Sequence, residues 1–200
     1  LEPEAVDRIF QMQPIGPMDI LFSRDNQFAD WRQNILHNYR KGRQACLDGG
    51  YHGLFVVESD MIPPVDALVK LTSLDVDVAL GYYLFRRSNS CTPNVGVDYD
   101  AIRAHWGEPL HGVGEGLGCA LIKRPVLQAI DFRDGGHLPC DTPFFEDVRR
   151  AGHEIATHLG VRCGHKRPDG KILWPDREYG MTVSVGQKSD WHMKEESWNG

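Results

Sequence analysis

The 200-residue chain has no apolar run near the ~18 residues of a membrane-spanning helix. It shows no signal-peptide pattern, so the expected location is cytoplasmic. It has no basic block, and its net charge is -6, which argues against nucleic acid as a partner. An acidic protein that handles nucleotide phosphates needs a metal ion or a few placed Arg or Lys to offset repulsion. Cysteine is sparse: the five residues, Cys46, Cys91, Cys119, Cys140 and Cys163, are odd in number and lack CxxC spacing. Reduced thiols are therefore expected. No repeat, low-complexity segment or internal linker appears.

What remains is ordinary globular composition, 41% hydrophobic and 25% charged, at a length that can bury roughly 70% of the unfolded surface. The chain is organised around Gly53-Leu54-Phe55-Val56-Val57-Glu58-Ser59-Asp60-Met61-Ile62-Pro63-Pro64. Its apolar half reads as a buried strand, and the two prolines forbid further strand. Glu58 and Asp60 then sit where a central strand ends, the edge at which open α/β sheets bind ligands. Carboxylates two residues apart on a turning backbone can hold Mg2+ or Mn2+. The plain structural alternative is a solvated charge at Glu58 and a helix cap at Asp60.

The chain opens on a helix start, Leu1-Glu2-Pro3-Glu4-Ala5-Val6, with no strand before it. A first strand is expected to be missing from this sequence, lost or moved. Met18 to Ser23 reads as a strand, with Arg24-Asp25-Asn26 as its polar exit. Asp30 caps a helix to about Leu47, ended by Gly49-Gly50, in which Arg40, Lys41 and Arg43 complement the C-terminus. Val65, Leu68, Val69 and Thr72 mark the next helix, and Asp77 to Phe85 the next strand, ending in Arg86-Arg87. This alternation predicts a mostly parallel, Rossmann-like central sheet flanked by helices.

Residues 88 to 110 read as a long irregular loop, and Trp106 as its anchor or a sugar-stacking ring. Glycines alternate from Gly112 to Gly118 before a strand, Cys119 to Ile122, and a short helix from Pro125 to Ile130. These glycines permit close backbone approach to a ligand or a tight strand entry. Phe132 to Asp141 reads as loop, Thr142 to Gly152 as a helix capped by Thr142, and Glu154 to Arg162 as a strand. A smaller antiparallel portion of short hairpin strands is expected after Gly164, within a single domain over 1–186, and residues 187–200 read as an extension.

Two motifs mislead. Gly112, Gly114 and Gly116 do not give G-x-G-x-x-G, and they precede a strand rather than follow one. His153 and His158 are five apart on an alternating segment, so they are no zinc-protease helix. Cys163-Gly164-His165 has the form of half a zinc site without a second half.

In this order the elements resemble a GT-A fold glycosyltransferase, a nucleotide-diphospho-sugar transferase similar to family-2-like enzymes. The resemblance is carried by Gly50 to Pro64 with Glu58-Ser59-Asp60 in place of D-x-D, Asp77 to Arg86, Gly114 to Arg124, and Phe145-Glu146-Asp147-Val148 with Val161 to His165. It implies a metal-dependent transfer, with Mn2+ or Mg2+, from a UDP- or GDP-linked sugar to a carbohydrate or other hydroxyl acceptor. Asp60 and His165 are the implied metal ligands. Glu58, beside Ser59, would meet the ribose or the metal. Asp147 is the implied base, with Glu146 as the alternative, although acids early in a helix also simply favour its N-terminus. Asp25 would contact the nucleotide base, Arg43 and Arg86 the diphosphate, and Gly116 and Gly118 the donor. Glu in place of the motif's first Asp is a departure, and so is the absent first strand. The competing readings are a sugar nucleotidyltransferase of related fold and a non-catalytic nucleotide- or carbohydrate-binding domain.

Overall fold

The computed structural model describes residues 2–23, 26–87, 90–178 and 180–185. Its centre is a five-stranded sheet. In chain order its strands are β1 (Gly53–Val57), β3 (Val78–Tyr82), β6 (Pro109–His111), β7 (Cys119–Lys123) and β8 (Ile155–Arg162). In space the order is β1-β7-β3-β8-β6. Only β3 and β8 pair in parallel; the β1–β7, β3–β7 and β6–β8 pairs are antiparallel.

This corrects the expected parallel sheet, and it corrects the expected buried central strand: β1 lies at the sheet edge and is only half-buried. β1 and β3 do run the same way, joined by helix α3 (Ala67–Ser73), but they are not neighbours. The crossover skips one position, which β7 fills in the reverse direction. Alternation of helix and strand fixes strand direction without fixing which strand lies between. The expected strand at Met18 to Ser23 is also absent. That stretch has no regular structure, and Ile20, Leu21 and Phe22 are exposed.

Period-two alternation on β3 divides the core. Val78 and Leu80 face one cluster, formed with helices α2 (Trp31–Asp48), α5 (Arg124–Ala129) and α6 (Asp141–Arg150). Ala79 faces the other, with Met61, Leu71, Cys119, Val161 and Cys163, and with Met12 just after helix α1 (Pro3–Phe10). Asp30 caps α2 as expected, its side chain accepting from the Arg32 amide. Thr142 is not the cap of α6, which begins one residue earlier and has Cys140 at the cap position.

The stretch expected to be one irregular loop is partly ordered. β4 (Leu84–Arg87) pairs with β5 (Ser90–Pro93), and helix α4 (Tyr99–Ala104) precedes β6. Trp106 is an anchor here: its ring meets Tyr82 edge-on at 6.0 Å, and the Arg162 guanidinium lies over it at 5.3 Å.

A second, four-stranded sheet matches the expected antiparallel portion. It runs β11-β10-β9-β2, made of Gly180–Val185, Lys171–Asp176, Gly164–Lys166 and Met61–Ile62 respectively. The hinge between the sheets is a register shift after Gly81. There β8 leaves β3, and the Cys163 amide bonds the Tyr82 carbonyl at 2.8 Å. Glycine is required at 81, where a Cβ would stand 3.0 Å from the sulfurs of both Cys119 and Cys163. Among the described residues no helix is long and apolar enough to cross a membrane.

Candidate functional site

The end of β1 turns sharply. The Glu58 amide donates to the Gly118 carbonyl at 2.9 Å, and the Met61 amide closes the turn on the Glu58 carbonyl at 3.0 Å. β2 then pairs with β9, setting Met61 opposite His165, and the Lys166 amide donates to the Asp60 carbonyl at 2.8 Å. This short ladder brings together residues more than a hundred positions apart. His165 Nε2 lies 3.7 Å from the Asp60 carboxylate.

The histidine is held in one orientation. Nδ1 is 2.7 Å from the Leu84 carbonyl, which can only accept, so Nδ1 carries a hydrogen and Nε2 is the nitrogen that faces Asp60. The ring is 6% exposed and stands edge-on to Tyr83 at 5.8 Å. The 3.7 Å separation of Nε2 and the Asp60 carboxylate is longer than a hydrogen bond. Two ligands ~2.1 Å from one hard cation lie about 3–4 Å apart.

Among the described residues, no group of three or more His, Cys, Asp and Glu side chains gathers to hold an ion. Two protein ligands still fit a phosphate-bridging Mg2+ or Mn2+, which takes its remaining oxygens from substrate and water. The buried Cys163 thiol contacts Cys119 and points to the Val161 carbonyl, away from a zinc role. The four cysteines with described side chains, Cys46, Cys119, Cys140 and Cys163, are free thiols.

Glu58 lies behind this pair, where Tyr39 donates its hydroxyl to Oε1 at 2.7 Å. Burial pushes the Glu58 carboxyl above the usual range; the Tyr39 bond opposes that, and the charges of Asp60 and Asp141 add to it. Ser59 is exposed at the tip of the turn, its carbonyl accepting from the Glu2 amide at 3.2 Å.

Asp141, which sequence reasoning placed at a loop end, is the first residue of α6, and its charge acts on Glu58. Its carboxylate accepts the Thr142 amide at 2.9 Å. Burial pushes its carboxyl up, and Glu115 pushes it further. Its own charge is felt at Glu58, Tyr39 and Tyr83.

The expected base residues lie elsewhere on α6. Asp147 is 2.6 Å from Arg133 and 2.8 Å from Arg150, and Glu146 is 3.3 Å from Arg133. The Arg133 hydrogen bond holds the Asp147 carboxyl below the usual range. Arg43 is committed to structure, its Nε donating to the Leu127 and Ile130 carbonyls at 2.7 and 3.1 Å. Arg86 lies in β4, with its side chain outside the described residues, as is all of Asp25. Gly116 and Gly118 border the site for a packing reason. A Cβ at Gly116, where φ is +79°, would meet the Tyr83 hydroxyl at 2.3 Å, and the Gly118 amide donates to that hydroxyl at 3.2 Å.

No family model matches the chain, and no curated protein matches it. Among solved structures it is similar to A197 from STIV, at 19% identity and a TM-score of 0.57, over 86% of this chain and 85% of that one. The likeness is one of fold.

Proposed function

We propose that the protein is a metal-dependent glycosyltransferase, moving a sugar from a nucleoside-diphosphate donor to an acceptor hydroxyl. The observation that carries this reading is the Asp60–His165 pair just past the end of edge strand β1, with Nε2 of the histidine turned toward the carboxylate. A divalent cation bound there supplies positive charge to the diphosphate as it departs.

The rest falls to the chain's own residues. Leu84 fixes the tautomer of His165. Tyr39 orients Glu58, which offers a carboxylate oxygen to a donor hydroxyl. Asp141 takes the base role in place of Asp147, because its charge acts on Glu58 while Asp147 is spent on two arginines. In an inverting transfer Asp141 accepts the acceptor's proton as that oxygen attacks the anomeric carbon and the bond to the diphosphate breaks. Its raised pKa brings it closer to the operating pH that a base requires.

Titration calorimetry with UDP and GDP, each with Mn2+ and with EDTA, tests the site. One nucleotide is expected to bind only with metal. Asp60→Ala and His165→Ala should each lose more than the roughly 10–100-fold that removing an outer-shell partner costs. Unchanged affinity in Asp60→Ala would remove that residue from the site.

A further inference from the structure

Tyr39 is 8% exposed and sits mid-way along α2, on the side of the sheet away from β2. Its ring stacks on Phe132 at 5.2 Å, and Phe132 stacks on Phe144 of α6 at 4.6 Å, both fully buried. The stacked column fixes the ring, so the hydroxyl has one place to point, and it points at Glu58 Oε1, 2.7 Å away. A tyrosine at such a core position needs a partner for its hydroxyl. This one uses the acid at the strand end rather than a backbone carbonyl. The other groups that interact electrostatically with Glu58 are Asp60 on its own turn, Asp141 and the neighbouring Cys140 at the start of α6, His165 on β9 and Tyr83. His165 directs its Nδ1 hydrogen to the Leu84 carbonyl, whereas Tyr39 donates its hydroxyl to the Glu58 carboxylate itself from a fixed position.

We propose that Tyr39 is a positioning residue of the site: its hydroxyl, anchored through the Phe132–Phe144 stack, sets the Glu58 carboxylate in the orientation that receives the metal-bound nucleoside diphosphate. This rests on the transferase reading above. A held carboxylate loses little freedom on binding, and a ~1 Å drift of a supporting group is enough to loosen a site. The role belongs to the hydroxyl, so the ring alone does not fulfil it.

The test is a double-mutant cycle read by calorimetry with UDP and GDP in Mn2+. Tyr39→Phe keeps the stack and loses only the hydroxyl. It is expected to melt cooperatively and to lose about tenfold in metal-dependent affinity. In a Glu58→Ala background the same change is expected to alter affinity less than about twofold, since the hydroxyl then has no carboxylate to hold. A structural role would weaken binding by the same factor in both backgrounds, and that result overturns the proposal. So does wild-type affinity in Tyr39→Phe, or loss of cooperative melting in that variant. If the wild-type protein binds neither nucleotide with metal, the transferase reading fails and this role fails with it.

Discussion

Helix α6 carries two aspartates six positions apart that live in opposite surroundings. Asp141 begins the helix where its charge acts on Glu58, Tyr39 and Tyr83, and burial raises its carboxyl above the ordinary value. Asp147 sits between Arg133 and Arg150 at the surface, and those guanidiniums lower its carboxyl. One environment favours the protonated carboxyl; the other favours the charged one. A general base must be able to accept a proton, so similarity in sequence between two acids says little about which of them can act. Of the two arginines, Arg133 links Asp147 to the loop before α6, and Arg150 pairs with it within the helix.

The largest effect that separates the two is on turnover. With the donor identified from nucleotide binding, Asp141→Asn is expected to bind Mn2+ and nucleotide normally and to lose about 10²–10⁴-fold in release of nucleoside diphosphate. Asp147→Asn is expected to retain turnover within a few-fold. The reverse pattern would return the base role to Asp147 and make Asp141 a first-turn acid.

Stability should separate them next. The Asp141 carboxyl has its folded pKa raised above the ordinary 3.8. The stability it contributes is therefore full below that value and is lost as pH rises through the raised one. Asp141→Asn keeps the side-chain shape and the oxygen that accepts the Thr142 amide, but removes the buried charge. It is expected to raise stability at pH 7 by about 0.5–2 kcal/mol, the range seen when a strained functional residue is relieved. The gain should vanish below pH 3.8, where both forms are neutral. A Tm gain that does not change with pH would mean that the charge is not what burial penalises.

The difference between the two aspartates was partly legible in sequence. Asp141, Phe144, Phe145 and Val148 fall at i, i+3, i+4 and i+7, one face of a helix, whereas Glu146 and Asp147 fall off it. The three apolar members of that face are buried in the structure. Reading Thr142 as a cap placed Asp141 in the loop and hid this pattern. β1 and the turn after it, α2, β3 and β8 were legible because apolar periodicity and Pro or Gly punctuation agree there, whereas β2 was not expected. The Asp60–His165 approach was reachable only through the family resemblance, since β2 is two residues long and its partner is a hundred residues away. Local pattern also cannot report that β7 enters between β1 and β3, because strand order is decided by long-range pairing. Arg43 reads from sequence as a charge complementing the C-terminus of α2, and by the resemblance as a diphosphate contact. Its commitment to the Leu127 and Ile130 carbonyls depends on where α5 packs, which no spacing within α2 encodes.

The smallest effect tests the surface end of the comparison. The Asp147 carboxyl has its folded pKa lowered, so its contribution is present above the ordinary 3.8 and is lost as pH falls through the lowered value. Asp147→Asn should therefore destabilise slightly at pH 7, by an amount that shrinks toward zero in acid. That slope is opposite in sign to the one expected for Asp141→Asn. The effect at pH 7 should also weaken in high salt, because the Arg133 side chain is 46% exposed and its partner 21%. Melting curves of the two variants across pH 3 to 7, at low and high salt, give both slopes in one series. Parallel slopes would mean that the two ends of α6 are electrostatically alike, and the argument that assigns the proton-accepting role to Asp141 would lose its basis.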